Sequence, residues 1–302
     1  MAMATVAFLG LGRMGLAMAT RLLESDGLLE SSDRLHVFNR TASRADPLIA
    51  RGARRFATAR EACMSADVVL SMVADECASR AMWLGPDGAL EGNLAPRALA
   101  IECSTLSHGW VLELCAIARS RGLRYIDAPV TGLAEMAERG ELTLLVGAES
   151  ADLTAAEPVL ARLACRTIRF GPPGTGTAYK LLVNMLGAVQ IASAAEMMAI
   201  AERVGLDLAT VADALATGQA ASPQVVRNAR RIVDGHHERD ILFTPQLRVK
   251  DVQYALELAR GVGIGSPFGT LAGLTFRELC ALGNAPVNES KVIDIARTRT
   301  AE

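Results

Sequence analysis

Short apolar runs rich in β-branched residues recur along the first half of the chain, at residues 5–9, 34–38, 67–73, 98–103, 124–130, 141–147 and 166–170. Each has the length and composition of a strand. Between them lie segments with helical spacing, such as Leu16, Met18, Ala19, Leu22 and Leu23, and a second over about residues 107–121. Strands alternating with helices predict an α/β unit built on a parallel, doubly wound sheet. After Gly171-Pro172-Pro173-Gly174 the alternation stops. From there the pattern is helical throughout: 177–204, then about 207–217, 222–233, 247–262 and 270–282. The expected architecture is therefore a sheet domain over residues 1–170 and an all-α domain over 171–302, joined by a long interdomain helix.

Composition narrows what such a chain can do. With 302 residues, 51% hydrophobic and 21% charged, it can bury cores for two domains. A net charge of -2 and 4% aromatic residues leave no basic or stacking surface for nucleic acid, nor a basic one for an anionic membrane. Residues 181–201 carry almost no charge, yet they include Asn184, Gln190, Ser193 and Glu196 and are built on alanine. A helix buried in a core or subunit interface is the expectation there, not a membrane span. The six cysteines form no C-x-x-C pair, and the N-terminus lacks a basic region followed by a long apolar one. Both point to a cytoplasmic protein with free thiols. The four histidines lack metal-ligand spacing, so no metal is expected.

The polar exceptions carry the chemistry. Strand 5–9 runs into Gly10-Leu11-Gly12-Arg13-Met14-Gly15 and then into a helix. In that context the glycines permit a tight turn and close backbone approach, and free N–H groups at the helix start receive a pyrophosphate. Without that context it would be an ordinary glycine-rich turn. The second strand ends in Asn39-Arg40-Thr41, where an NAD site would place Asp or Glu on the ribose. Arg40 instead suits a 2′-phosphate, with Asn39 and Thr41 as neutral donors, so NADP is favoured over NAD. Met72-Val73 and Ser104-Thr105 stand at strand ends, where ligands of such sheets lie; Ser104-Thr105 also introduces the next helix and could cap it, a role compatible with the favoured ligand contact. Thr131-Gly132 could form a small anion nest for a substrate carboxylate, or be a plain turn.

Lys180 and Asn184 are the only strongly polar residues in the first two turns of the long helix, and their i, i+4 spacing puts both on one face. An ammonium partly desolvated at a domain cleft can act as general acid in carbonyl reduction and as base in the reverse direction. Asn184 could hold the same hydroxyl. Lys250-Asp251 reads by itself as an exposed ion pair at a helix start.

These motifs, in this order, resemble the β-hydroxyacid dehydrogenases, the group of 3-hydroxyisobutyrate dehydrogenase, tartronate semialdehyde reductase and glyoxylate/succinic semialdehyde reductase. The likeness spans nearly the whole chain: Gly10 to Met18, Asn39-Arg40-Thr41, Glu102 to Thr105, Asp127 to Leu133, Gly140 to Leu142 with Val146-Gly147, Gly174 to Asn184, and Lys250-Asp251. It implies a Rossmann-type domain binding NADP(H) and a helical domain that pairs subunits into a homodimer or homotetramer. It makes Lys180 the catalytic acid/base and Asn184 its helper. Ser104, Thr131 and Gly132 would hold a small carboxylate or aldehyde substrate, and Lys250 would lie near nicotinamide and substrate. The chain departs from the pattern at Leu133 and Met136, where glycines are usual, and at Thr131 for serine, Glu102 for aspartate and His108 for proline. Related folds supply the competing readings. An imine reductase would carry Asp or Tyr at Lys180. A decarboxylating sugar-phosphate dehydrogenase would need a longer helical half, and a non-catalytic NADP-binding module would lack the lysine.

Overall fold

The computed structural model describes residues 5–24 and 34–299, so Met1 to Ala4, where a leader would begin, lie outside the described residues. The chain divides into two units, Met1–Lys180 and Leu181–Glu302.

Among the described residues the first unit is organised on nine strands: β1 (Val6–Leu9), β2 (Leu35–Phe38), β3 (Arg54–Arg55), β4 (Val68–Ser71), β5 (Leu99–Glu102), β6 (Arg124–Asp127), β7 (Val130–Thr131), β8 (Leu142–Gly147) and β9 (Ala164–Gly171). Their order is β3-β2-β1-β4-β5-β6-β8-β7, with β9 also on β8. The first six are parallel, and the order reverses between β1 and β4, which is where doubly wound sheets bind ligands. β8 runs antiparallel to β6 and β7, and β9 parallel to β8, so the parallel sheet gains a mixed edge.

β1, β4 and β5 are buried on both faces, which is why they read as continuous apolar runs. Alternate residues feed two cores: Val6, Phe8, Leu70 and Ile101 on one face, and Ala7, Leu9, Val69 and Ala100 on the other. The connecting helices are α1 (Arg13–Leu23), α2 (Asp46–Ile49), α3 (Ala59–Ala62), α4 (Glu76–Leu84), α5 (His108–Ser120), α6 (Ala134–Arg139) and α7 (Ser150–Leu163).

α8 (Thr175–Arg203) begins in the first unit, and the division falls within it, after Lys180. The second unit continues with α9 (Leu208–Thr217), α10 (Pro223–Asp234), α11 (Pro245–Gly261), α12 (Pro267–Leu279) and α13 (Ile293–Thr298). Local capping sets the starts of three of these. Asp207, Ser222 and Thr244 accept hydrogen bonds from the N–H groups of Thr210, Val225 and Leu247, and Pro223 and Pro245 open α10 and α11. That cap starts α11 two residues earlier than its apolar pattern predicts. The core of this unit is Ala188, Ile191, Ala195 and Met198 of α8 against Ile232, Val252, Ala272, Phe276 and Ile293. Among the described residues α8 is the one helix long and apolar enough to cross a membrane by length and composition, and 39% of its apolar window is buried in the fold.

Candidate active site

The three glycines after β1 do different things. Gly10 turns at φ +93°, and a Cβ there would sit 2.4 Å from the Met72 carbonyl oxygen, so the turn admits only glycine. A Cβ on Gly15 would sit 2.0 Å from the Gly10 carbonyl oxygen; its absence lets α1 lie against the strand. At Gly12 a Cβ would meet nothing within 4 Å, and φ of -67° suits any residue. The protein's own packing therefore does not require glycine at position 12. Glycine there leaves the approach to the N–H groups at the start of α1 open, as a dinucleotide pyrophosphate would require. Gly15→Ala is expected to destabilise the fold by about 3 kcal/mol through overpacking. Gly12→Ala should fold with a loss within about 1 kcal/mol, the cap preference at that position. Thermal melts with and without NADP separate the two, because Gly12→Ala should lose the ligand-induced rise.

The end of β2 is tied to this loop. The Gly10 N–H donates to the Phe38 carbonyl at 2.9 Å, and the Leu11 N–H donates to Asn39 Oδ1 at 2.8 Å. Asn39 Nδ2 donates to the Thr41 carbonyl at 2.9 Å. Asn39 thus joins the glycine loop to the turn that follows β2, a tie its reading as a neutral donor does not contain. Arg40 and Thr41 are exposed beside it.

Next along the sheet, the Met72 N–H donates to the Leu9 carbonyl at 2.9 Å and the Val73 N–H to Ser104 Oγ at 2.8 Å. The Ser104 N–H donates to Glu102 Oε1 at 3.0 Å, while Glu102 Oε2 accepts from Ser79 Oγ and Trp83 Nε1, both at 2.8 Å. Trp110 Nε1 donates to Ser79 Oγ at 2.9 Å. Burial pushes the Glu102 carboxyl above its ordinary pKa, opposed by the groups donating from Ser104, Trp83 and Ser79. The Ser104 hydroxyl thus links the ends of β4 and β5. Ser107, not Ser104 or Thr105, caps α5, accepting from the Trp110 N–H at 3.2 Å. The cap role for Ser104-Thr105 is set aside on that ground; Thr105 is half-buried ahead of the helix.

Thr131 ends β7 opposite Thr143, exposed. Gly132 follows at φ +139°, where a Cβ would lie 2.7 Å from Leu142 Cδ2. The stretch after it is not all loop: Ala134–Arg139 is helical, with Met136 half-buried against the sheet core and Leu133 at the N-cap without a side-chain bond. Glu135 pairs with Arg13 at 2.9 Å, linking α6 to the start of α1 by an exposed ion pair of modest worth.

β6 ends in Asp127, a fully buried carboxylate. Oδ1 accepts from the Gly174 N–H at 2.6 Å and Oδ2 from the Thr177 N–H at 2.7 Å. Burial pushes its carboxyl up, and these two amides oppose the shift. Lys180 follows three residues later, half-buried. The glycine loop after β1, the Met72 and Ser104 turns, and the start of α8 therefore share the C-terminal edge of the parallel sheet.

In the second unit, Asn184 Nδ2 donates to Asp251 Oδ2 at 2.6 Å, and Lys250 Nζ lies 3.0 Å from Asp251 Oδ1. The Asp251 side chain is 2% exposed and that of Lys250 17%, so this is no exposed ion pair. One turn before Asp251, Arg248 donates through Nε and Nη2 to Glu289 Oε2 at 2.8 and 2.6 Å, and through Nη1 to the Asn184 carbonyl at 2.9 Å. Its guanidinium lies 4.4 Å from the centre of the Phe243 ring. Sequence reading passed over Arg248, Glu289 and Phe243; the one trace of them is a polar residue on the apolar stripe of α11, beside Val252 and Ala255.

Residues 5–171 match the family described as the NAD binding domain of 6-phosphogluconate dehydrogenase, and residues 174–296 match the family described as NAD-binding of NADP-dependent 3-hydroxyisobutyrate dehydrogenase. The chain is 34% identical to the NAD-dependent L-serine dehydrogenase of Pseudomonas aeruginosa over 94% of each chain. It is 30% identical to the 3-hydroxyisobutyrate dehydrogenase of the same organism, over 89% of this chain and 90% of that one. A solved structure of the Mycobacterium tuberculosis 3-hydroxyisobutyrate dehydrogenase with L-serine superposes with a TM-score of 0.86 at 29% identity, covering 98% of this chain and 100% of the other.

Proposed function

Because the chain belongs to the β-hydroxyacid dehydrogenase family, and is thus an oxidoreductase using a nicotinamide cofactor, we propose that it moves a hydride between NADP(H) and a small 3-hydroxy acid or its semialdehyde, with Lys180 as general acid and base. The observation that carries this reading is the placement of α8. Its first turn is held at the C-terminal edge of the sheet, the edge that presents Gly10 to Gly15, and Lys180 is the first cationic side chain along it.

Bound nicotinamide supplies the hydride in reduction and accepts it in oxidation. The chain's residues handle the proton and the alignment. Lys180 gives a proton to the carbonyl oxygen as the hydride arrives, or takes it from the hydroxyl in reverse. Asn184, one turn on, presents an amide whose orientation is fixed by Asp251, so that its Oδ1 and remaining N–H are available to a substrate oxygen. Ser104, Thr131 and Gly132 would hold the substrate, and Lys250 is proposed as a further substrate contact. Gly10, Leu11, Gly12, Arg13, Met14 and Gly15 would hold the pyrophosphate, and Met72, Val73, Thr105, Lys250 and Asp251 are the further residues proposed for the dinucleotide.

Substrates are tested by offering L-serine, 3-hydroxyisobutyrate and glycerate with NADP or NAD and following nicotinamide absorbance. L-serine is included because it is named with two of the similar proteins. Turnover confined to simple alcohols without a carboxylate would overturn the substrate class. Cofactor preference rests on Arg40. Arg40→Glu is expected to raise the NADPH Kd by about 100-fold, the loss of one charge-assisted phosphate contact, and to leave NADH nearly unchanged. Equal effects on both would remove the 2′-phosphate role. Phe268, Leu271 and Leu274 of α12 are exposed large apolar residues, Phe268 by 76%, and with Val262 and Ile264 they form the surface we assign to subunit pairing in a homodimer or homotetramer.

A further inference from the structure

We infer that Asp127 is a positioning residue for the reaction: by capping α8 from the end of strand β6 it sets where Lys180 stands. This rests on the reading of Lys180 as the proton donor. An ordinary N-cap side chain belongs to the residue just before its helix and moves with it, so it stabilises the helix without fixing its place. Here the residue before Thr175 is Gly174, which has no side chain, and the capping carboxylate comes from 47 positions earlier in the chain. Both oxygens are used, one on the Gly174 N–H and one on the Thr177 N–H, two of the orphan donors of the first turn. The negative charge also faces the positive end of the helix dipole.

The surroundings are shaped to allow this. A Cβ on Gly147 would lie 2.3 Å from Asp127 Oδ1, and one on Gly176 would lie 2.2 Å from the Leu145 carbonyl oxygen. Gly174 sits at φ +95°, with space for a Cβ closed by Leu112 Cδ2 at 2.7 Å. Gly147 and Gly176 thus let the first turn of α8 rest on the backbone of β8 beside the carboxylate, while Gly174 lets the turn pass close to α5. Asp127 is also the direct register partner of Glu102, whose carboxylate holds the Ser104 N–H. Adjacent strands end in two buried carboxylates, one fastening the Ser104-Thr105 turn and the other fastening α8. Lys180 lies three residues past Thr177, about 4.5 Å along the axis, so a slide or tilt of the first turn reaches it undamped.

The test is a double-mutant cycle between Asp127 and Lys180, read with the best substrate of the panel above. Asp127→Ala is expected to lower kcat by about 100-fold, the size of effect a displacement near 1 Å produces, with NADPH Kd and substrate KM within about twofold. Asp127→Asn is isosteric and keeps one acceptor; it is the variant to use if the alanine form does not fold, and about a 10-fold loss is expected from it. In the Lys180→Ala background either change should alter the residual rate by less than about threefold, because residues acting as a unit are not additive. Full, multiplicative losses in that background would overturn the positioning role while leaving Lys180 in place. Wild-type turnover in Lys180→Ala would overturn the proton-donor reading and this inference with it.

Discussion

Lys180→Ala is expected to lower kcat by about 10²- to 10⁴-fold, the contribution of a positioned general acid or base, while NADPH affinity stays within about twofold. The asymmetry follows from where the residue sits. Most of the groups that would grip the dinucleotide belong to loops after β1, β2, β4 and β5, whereas Lys180 belongs to α8. The hydrogen bonds among Gly10, Leu11, Phe38, Asn39, Met72 and Leu9 that shape the first loops do not include its ammonium. Nicotinamide fluorescence titration gives the affinity, and steady-state kinetics gives kcat. Loss of cofactor binding in step with turnover would mean that Lys180 holds the cofactor and does not handle the proton.

The second large effect is on stability. Glu289→Ala should destabilise the chain by about 3–5 kcal/mol, the penalty for leaving a buried charge without its partner. Arg248 and Glu289 side chains are 3% and 2% exposed, and two guanidinium nitrogens converge on Glu289 Oε2. Arg227, 3.6 Å from the other oxygen, is a second cation, so losing Glu289 leaves two guanidinium groups without their shared anion. Pairing Glu289→Leu with Arg248→Met should recover most of the loss, since an apolar pair carries no desolvation penalty. Chemical denaturation midpoints decide between these outcomes. The same double variant should still lose activity, because Arg248 also holds the Asn184 carbonyl.

What the sequence discloses and what it withholds divide along one physical line. Patterns with a fixed local period were legible: the seven expected strands are present to within three residues at their ends and the five helices after residue 174 are all present, whereas the two-residue β3 (Arg54–Arg55) and the separate β7 (Val130–Thr131) were not foreseen. Two glycines of the motif are enforced by backbone contacts, Gly10 against the Met72 carbonyl and Gly15 against the Gly10 carbonyl, whereas packing does not require Gly12. Side-chain partners distant in the chain were not legible. Asp127 and Gly174 are 47 residues apart, Asn184 and Asp251 are 67, and Leu11 and Asn39 are 28. No periodicity reports such pairings. Asp127 and Glu102 were visible only as letters of a motif, and Lys250-Asp251 only as neighbouring charges, because burial is a property of the assembled layers. The helix at Ala134–Arg139 escaped notice since six residues are too few to show an amphipathic repeat.

Asn39 has a practical implication for redesigning cofactor choice. Its amide ties the glycine loop to the following turn from both of its polar atoms, while the side chains of Arg40 and Thr41 stand exposed beside it. A combinatorial library that varies positions 40 and 41 and keeps Asn39 would explore nicotinamide selectivity on an intact scaffold. One that also randomises position 39 would fill up with variants whose loop has lost its brace, and screening would score them as poor binders of either cofactor.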